Sequence, residues 1–591
     1  MTSTGKQRCA FGPFCLDRSE HLLTRRGVAV PLPPKCFDLL ALLVQYAGSL
    51  VEKNRIIETL WPDTFVEEAN VANLIGLLRK TLGDSPKNPR YIQTVPKRGY
   101  RFVGRLNSTD RKPPSLAEKP DVDQRAIRII AFPFRNDSGD PEMDYLAYSL
   151  PDAIGSTLAE LNVFTVRSTQ LAARFDPKRW DPQSVAREAD VDVLLTGCFA
   201  RTGLKLHVIT QLLDAPNGTV LWSKEWDVDP KELFRLHRGV VQLLVRTLAG
   251  QVRQSAGLAG DEKGSTIPDA YELYLRANYL TRKRTTENFT LARDLYLACT
   301  EKDPAYAPAW AGLGRCCRFL DKFGVRVTGN AISAEDAFRR ALRLNPQLAI
   351  AHSAYTPLQA DLGHAEEAVV RLLHAVQQNK NNPELFAGLV HACRYCGQLA
   401  ASIAAHNRAL ALDRNVPTSV AHTYFLMGDY EKSLYWYGEA AGPGAGLYLD
   451  ALSLTCMDRL GDASALLWAR RDRFCMQPAL MNSLQAYLDG DRAAGVAALR
   501  SAHSGSGDPE TLFYLARQAA RFEEVEMAQE LLSRSVKRGY LSSVALSQDS
   551  WLKPLRTTSE FTRLLSVVKS REEEARRAFL QAGSGHILGR A

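Results

Sequence analysis

Apolar and polar positions alternate through residues 8–16 and 20–30, with turn signals at Gly12-Pro13 and Arg26-Gly27. A period of two predicts short strands. Pro33-Pro34 then opens a helix from about Lys35 to Tyr46, with Phe37, Leu39, Leu40, Leu42, Leu43 and Tyr46 on its apolar side and Gly48 as its stop. A second helix is expected over about Lys53 to Leu60, plugged inward by Ile56, Ile57, Leu60 and Trp61 and ended by Pro62. A third starts near Thr64, where Thr64 and Glu67 have capping-box spacing. Val71, Ile75, Leu78 and Leu82 recur at intervals of 4, 3 and 4. At about 100° per residue they form one buried stripe. The β-prone runs 91–95 and 100–103 flank Pro96-Lys97-Arg98-Gly99, whose glycine suits a tight turn, so a hairpin follows this helix.

Residues 107–123 include Arg111-Lys112-Pro113-Pro114-Ser115 and little apolar patterning, the composition of a flexible linker. Beyond Arg125 the pattern is mixed. Strands are predicted at 126–132, 163–167, 191–197, 204–213 and 219–227, and helices at 145–161, 183–189 and 231–248. Such alternation argues for an α/β layer structure. From about Pro268 the chain is helical and self-similar. Gly363, Gly397, Gly428 and Gly461 recur at intervals of 34, 31 and 33, and Asp303-Pro304, Asn345-Pro346 and Asn382-Pro383 mark boundaries. About eight helix pairs are expected between 269 and 537, the later ones degenerate, with the segment from Trp551 to Leu565 as a terminal cap.

Charge singles out the N-terminal end. Residues 1–119 hold 19 Lys+Arg against 11 Asp+Glu, while the other 472 residues hold 55 against 54. Within 79–105 stand eight basic residues and one acid, Asp84. A near-neutral chain with one basic end is the pattern of a polyanion binder, although a solvated basic face gives the same count. The length of 591 residues predicts about three to four domains. No apolar run is long enough to span a membrane, the first residues lack an apolar secretory core, and the 11 cysteines have no framework spacing. Together these favour a reducing cytoplasm.

Candidate chemistry concentrates on the third helix and its hairpin. Opposite the buried stripe lie Ala69, Asn73, Gly76, Leu77 and Lys80, a small and polar face suited to a major groove about 12 Å wide. Asn73 has the donor and acceptor to read an adenine edge, Leu77 a methyl contact for thymine, and Arg79 and Lys80 the charge to hold phosphates. An ordinary solvated amphipathic helix has the same periodicity; the hairpin with Lys97 and Arg98 at its tip tips the balance toward DNA. The motifs Trp61-Pro62-Asp63, Leu78-Arg79-Lys80 with Leu82-Gly83-Asp84, and Tyr91-Ile92 through Thr94-Val95 to Arg98-Gly99-Tyr100-Arg101-Phe102 are similar to those of OmpR/PhoB-type DNA-binding domains, shared with ToxR- and CadC-like regulators. The resemblance covers nearly 100 residues. It implies a four-stranded N-terminal sheet, three helices and a C-terminal wing on promoter DNA, with Thr94, Tyr100 and Arg101 joining the DNA-binding set. Family members often carry polar or basic residues where this chain has Gly76 and Leu77, so the operator sequence is not implied.

The middle segment resembles the TolB N-terminal-like domain through Phe132-Pro133-Phe134 with Asn136 and Ser138-Gly139-Asp140, through Leu195-Thr196-Gly197, and through Gln211-Leu212-Leu213-Asp214 to Leu221-Trp222. That resemblance implies no enzymatic activity. Asn136-Asp137-Ser138-Gly139-Asp140 has the composition of a metal or phosphate loop but also of a polar turn leaving a strand, the simpler reading. Asp181 and Asp190 flank a helix with no evident partner. The helical region resembles tetratricopeptide repeats, with Trp310-Ala311-Gly312-Leu313-Gly314 fitting a first helix. This implies a superhelix whose concave surface binds protein segments. His391 with Cys393 and Cys396 offers metal-ligating atoms, but without a second cysteine pair at zinc spacing a buried structural role is simpler.

The expected fold class is multidomain α+β: an N-terminal winged helix over 8–105, a flexible linker over 106–124, a central α/β domain over 125–253, and a C-terminal α-solenoid of tetratricopeptide-like repeats over 266–570. The expected function is a cytoplasmic bacterial transcriptional regulator without catalytic activity or cofactor. Its expected partners are double-stranded promoter DNA, proteins on the repeats, RNA polymerase and a second copy of the chain. With no receiver domain in the sequence, aspartyl phosphorylation is not the expected input. The alternative is a repeat scaffold whose winged helix binds protein. An enzyme in the middle domain lacks a nucleophile–base pair, a phosphate loop or a metal cluster.

Overall fold

The computed structural model describes residues 8–11, 14–17, 22–25, 28–30, 32–45, 50–60, 68–85, 89–95, 98–104, 106–107, 126–175, 181–249, 267–322, 332–440, 448–470, 478–503 and 508–588. The chain divides into two compact units, Met1–Pro120 and Asp121–Ala591.

In the first unit, β1 (Arg8–Phe11), β2 (Phe14–Asp17), β3 (Leu22–Arg25) and β4 (Val28–Ala29) form an antiparallel meander. Then come α1 (Pro34–Gln45), β5 (Leu50–Glu52), α2 (Lys53–Leu60), α3 (Glu68–Leu82), β6 (Ile92–Val95), β7 (Gly99–Phe102) and β8 (Leu106–Asn107). Instead of four strands the N-terminal sheet has five: β8 returns to β1, pairing Ala10 with Asn107 and Phe11 with Leu106. That return gives the edge strand β1 a backbone partner. A second sheet has the order β5-β7-β6. The apolar positions of α1, together with Ile56 and Leu60 of α2 and the whole stripe Val71, Ile75, Leu78 and Leu82 of α3, are buried in one core. Each such side chain stabilises the fold by about 1.5–3 kcal/mol on burial. Tyr46, Trp61 and the expected cap at Thr64 and Glu67 lie outside the described residues.

The second unit begins with β9 (Ile127–Ala131), β10 (Arg135–Asn136), α4 (Asp144–Ala159) and β11 (Phe164–Arg167), continues through α5 (Thr169–Ala172) and α6 (Pro182–Ala189), and ends its sheet with β12 (Val193–Thr202), β13 (Lys205–Asp214) and β14 (Thr219–Val228), before α7 (Leu233–Ala249). The strand order is β11-β9-β12-β13-β14, with β10 beside β12. β9 is parallel to β11 and β12, as a helical crossover requires, and the last three strands form an antiparallel meander. β12 runs past the predicted end at Gly197 because that glycine sits inside the ladder. A Cβ there would stand 2.6 Å from the Ile209 carbonyl oxygen. The loop after β10 is a polar turn. Arg135 pairs with Asp137 at 2.5 Å, Asn136 Nδ2 donates to Asp140 O and Asp144 Oδ1, and Asp140 caps the turn that follows. Asp181 and Asp190 do have partners: Asp181 accepts from the backbone N–H groups of Gln183 and Ser184, and Asp190, left-handed at φ 52°, pairs with Arg128 and Arg167.

Among the described residues sixteen helices follow, from Pro268–Leu280 to Val525–Lys537, packed as eight successive pairs, and a 23-residue helix, Ser559–Gln581, comes after them. Gly363, Gly397 and Gly428 are left-handed, at φ 90°, 71° and 77°, where helices end. Gly461 instead falls inside Leu460–Ala469; in that repeat Asp458 holds the left-handed position at φ 61°. The α/β layer and the first repeats share one hydrophobic core, joining Leu146 and Ile154 of α4 and Leu236 and Leu244 of α7 to Tyr271, Tyr274 and Leu313. Asparagines at the repeat boundaries reach the same layer. Asn379 Nδ2 donates to Ala159 O at 2.8 Å, Asn381 Nδ2 to Asn162 O at 2.6 Å, and Asn345 Nδ2 to Glu160 Oε2 at 3.0 Å. The C-terminal helices fold back on the middle repeats: Leu541 N–H donates to Tyr395 O at 2.8 Å, and Glu510 pairs with Arg394. Cys393 and Cys396 are buried here as core residues, and burial pushes the Cys393 thiol up to about 12. No helix among the described residues is long and apolar enough to cross a membrane.

Candidate nucleic-acid interface

The stripe that buries α3 also decides what it shows. With Val71, Ile75, Leu78 and Leu82 held in the core, Gly76 and Leu77 face outward, Leu77 with 39% of its surface exposed. An exposed leucine beside a glycine that meets nothing within 4 Å leaves a smooth, close-approach surface on this face. Asn73 and Lys80 fall on the same helix, but their side chains lie outside the described residues.

Arg79 does not stand free. Its Nη2 donates to Ile92 O at 2.8 Å and to Thr94 Oγ1 at 2.8 Å, so the guanidinium ties the helix to the first strand of the hairpin. Asp84, one turn of chain later, completes the fixation. Its carboxylate accepts from the N–H groups of Ser85, Arg90, Tyr91 and Ile92, at 2.9, 2.6, 3.2 and 2.8 Å. In the sequence Asp84 is the one acid of a basic run and part of the Leu82-Gly83-Asp84 motif, with no partner indicated. The signal was its place just after Gly83, which is left-handed at φ 65° and turns the chain toward the hairpin.

The hairpin is braced from the other side as well. Thr94 pairs with Tyr100 and Val95 with Gly99 across it, and Leu50 and Val51 of β5 pair with Arg101 and Tyr100. Arg98 N–H donates to Val95 O to close the turn, and Lys53 N–H donates to Arg98 O. The tip is thereby anchored to the start of α2. Arg98 and Thr94 are exposed, Arg101 is half-buried, and Tyr100 is packed in the core at 6% exposure, so its ring supports the wing from beneath. Lys97 lies outside the described residues. Phe11, Phe14, Tyr91 and Phe102 meet edge to face at 5.0–5.8 Å, locking the base of the hairpin to the N-terminal sheet. Gly104 is required there, since a Cβ would come within 2.9 Å of the rings of Phe102 and Tyr91. Among the described residues, no group of three or more His, Cys, Asp or Glu side chains is placed to hold a metal ion.

A helix with one face open, tied through an arginine to a basic hairpin, is a two-point grip for a duplex. Residues 27–102 match the family described as "Transcriptional regulatory protein, C terminal". The N-terminal segment is an OmpR/PhoB-type winged-helix DNA-binding domain. This winged helix also resembles the solved DNA-binding domain of Klebsiella pneumoniae RstA in complex with RstA box, at 26% identity and a TM-score of 0.16, covering 17% of this chain and 98% of that one. Longer similarities extend beyond the winged helix. Transcriptional regulator HilA of Salmonella paratyphi A is 23% identical over 347 residues, 58% of this chain and 59% of HilA. Putative adenylate cyclase 3 of Rhizobium meliloti is 27% identical over 204 residues, 34% of this chain and 35% of that protein. The chain thus spans about a third to three-fifths of the length of these two relatives.

Proposed function

We propose that the chain is a sequence-specific transcriptional regulator: the winged helix holds promoter DNA while the α/β layer and the helical repeats receive a protein partner. The observation that carries this is the Arg79 link between an outward-facing helix and a cationic hairpin, within a segment that matches a regulatory DNA-binding family. Asn73 and Leu77 read bases; Lys80, Lys97, Arg98 and Arg101 hold phosphates; Arg79, Thr94 and Tyr100 set the geometry between them. The central sheet is read as a TolB N-terminal-like domain and the helix pairs as tetratricopeptide repeats. A cytoplasmic location, contact with RNA polymerase and pairing of two copies on DNA belong to the same reading; a single module buries only about 600–1,000 Å² on DNA and gains affinity from pairing.

The test is binding-site selection from random duplexes with the full chain, followed by titration at several salt concentrations. An enriched motif and a steep loss of affinity with salt are expected. Absence of both, with capture of protein alone, would leave the scaffold reading in its place.

A further inference from the structure

An open cavity of about 730 Å³ lies in the repeat array, lined by Pro346, His352, His364, Glu366, Glu367, Arg371 and His374 among others. This is within the size range of small-molecule sites, about 300–1,000 Å³. Helix Ala365–Gln378 supplies one wall: Glu367, Arg371, His374 and Gln378 follow one another at intervals of 4, 3 and 4 along one face.

The charges of this cavity are arranged in depth. At its floor the half-buried Arg371 guanidinium is held by neutral partners, the Tyr355 ring at 5.2 Å and four acceptors. Nε donates to Gln359 Oε1 at 3.0 Å, Nη1 to His352 Nδ1 at 2.7 Å and to His352 O at 3.3 Å, and Nη2 to Thr356 Oγ1 at 2.9 Å. No carboxylate among the described residues pairs with it. Burial pushes the guanidinium down to about 10, the signature of a cation without a counter-ion. His352 is neutral near pH 7: its Nδ1 accepts from Arg371 and its Nε2–H donates to Pro346 O at 2.8 Å, and burial with the nearby Arg371 charge pushes it down to about 4. At the mouth the sign reverses. Glu366 and Glu367 are exposed, and Glu367 is held in place by His364 Nδ1 at 3.1 Å.

A simple anion must pass the acidic mouth to reach the floor, and a simple cation meets Arg371 inside. A molecule carrying both charges satisfies both ends. We propose that this cavity binds a small zwitterion of the α-amino-acid class, with its carboxylate on Arg371 and its ammonium beside Glu366 and Glu367. Arg371 has one Nη2 hydrogen beyond those used by its four acceptors, and a carboxylate there supplies the missing counter-charge. The site is independent of DNA binding and stands or falls without it.

Isothermal titration of the full chain, without DNA, against each of the common L-amino acids tests this. The best binder is then compared with its desamino acid, its decarboxylated amine and inorganic phosphate. One amino acid should bind one-to-one at submillimolar concentration, and the three analogues at least about tenfold more weakly. Arg371→Gln should weaken binding by about tenfold or more while the variant keeps a cooperative thermal transition, which shows that the repeats are still folded. The Glu366→Gln/Glu367→Gln variant, altered only at exposed positions, should bind the amino acid and its desamino analogue alike. No binding by any amino acid at millimolar concentration, phosphate binding as tightly as the best amino acid, or an Arg371→Gln affinity equal to that of the parent would each overturn the assignment.

Discussion

Arg167 and Asp413 meet at 3.1 Å where the edge strand β11 of the central sheet touches the boundary between two repeats, with the arginine side chain fully buried and the aspartate 6% exposed. Arg167 also donates to the carbonyls of Ala189, Leu412 and Asp190. Burial lowers the arginine and raises the aspartate from their usual ranges, so desolvation outweighs their mutual attraction on both sides. The pair therefore acts as a specific joint, costly to half-remove. Arg167→Met should destabilise this unit by about 3–5 kcal/mol, because it leaves a buried carboxylate with only the Asn415 N–H and no cation, and takes the guanidinium donors from three carbonyls. The Arg167→Met/Asp413→Leu double variant should recover part of that loss. Urea unfolding of both single variants and the double gives the coupling; a strictly additive cycle would show that the joint does not hold sheet to repeats.

The sequence made the secondary elements readable wherever one period dominated. The stripe of α3, helices α4 and α6 and the run of helix pairs needed only spacing, whereas the four-residue α5 gave no periodic signal. It misled where one residue type serves two geometries. Gly197 looks like a strand end but lies within a ladder, and Gly461 continues a glycine series whose structural place Asp458 has taken. Long-range partners had no local signal at all. Nothing near Asp190 predicts Arg128, 62 residues away, and nothing near Arg167 predicts Asp413. The same limit applies at the DNA face. A cation at position 79 reads as a phosphate contact, and nothing local shows that Ile92 O and Thr94 Oγ1 take its Nη2 hydrogens.

If Arg79 sets the angle between helix and hairpin, Arg79→Ala should weaken binding to every duplex by a similar factor and leave sequence preference intact. Arg79→Lys should not rescue it, since a single ammonium cannot reproduce the guanidinium fork that spans Ile92 O and Thr94 Oγ1. Titration of the variants against a selected site and an unrelated duplex checks this. A changed motif, or full rescue by lysine, would make Arg79 a direct DNA contact.

The hairpin tip should behave as charge alone. Lys97→Glu with Arg98→Glu should weaken binding on all sequences alike and reduce the slope of log affinity against log salt by about 2, one phosphate contact per lost cation. Mobility shifts at several ionic strengths give the slope. An unaltered slope would remove the wing from the phosphate grip.

The proposed function puts base reading on the outer face of α3. Asn73→Ala should relax selection at one position of the motif, costing about 1–3 kcal/mol of discrimination there. Leu77→Ala should act on a thymine methyl at a neighbouring position. Leu77 is 39% exposed, so its loss should change stability by less than about 0.5 kcal/mol. Repeating the binding-site selection separates these outcomes: an unchanged motif with Asn73→Ala ends its assignment as a reader.

Buried histidines should make the larger unit acid-sensitive before its carboxylates titrate. Loss of hydration holds His237, His352 and His406 at about 4, against an ordinary 6.5. Between those values the unfolded chain binds more protons than the folded one. Stability is therefore complete above 6.5 and declines as pH falls toward 4, by about 1.4 kcal/mol per pH unit for each histidine. Glu510 adds to the decline at lower pH. Burial alone would raise its carboxyl, but Arg394 and His422 hold it well below the usual range, so its share is present above 4.5 and is lost in stronger acid. Asp152, Asp361, Glu384 and Asp413 are raised by burial and act in the opposite sense, so the total slope mixes both effects. A difference measurement isolates one histidine. His237 sits between Thr157 Oγ1 at 3.1 Å and Tyr271 Oη at 3.0 Å, and glutamine can keep one of those contacts without titrating. Urea unfolding of the parent and of His237→Gln between pH 7 and 5 should give curves that converge by about 1.4 kcal/mol per unit below 6.5. Parallel curves would mean that His237 keeps its ordinary proton affinity inside the fold.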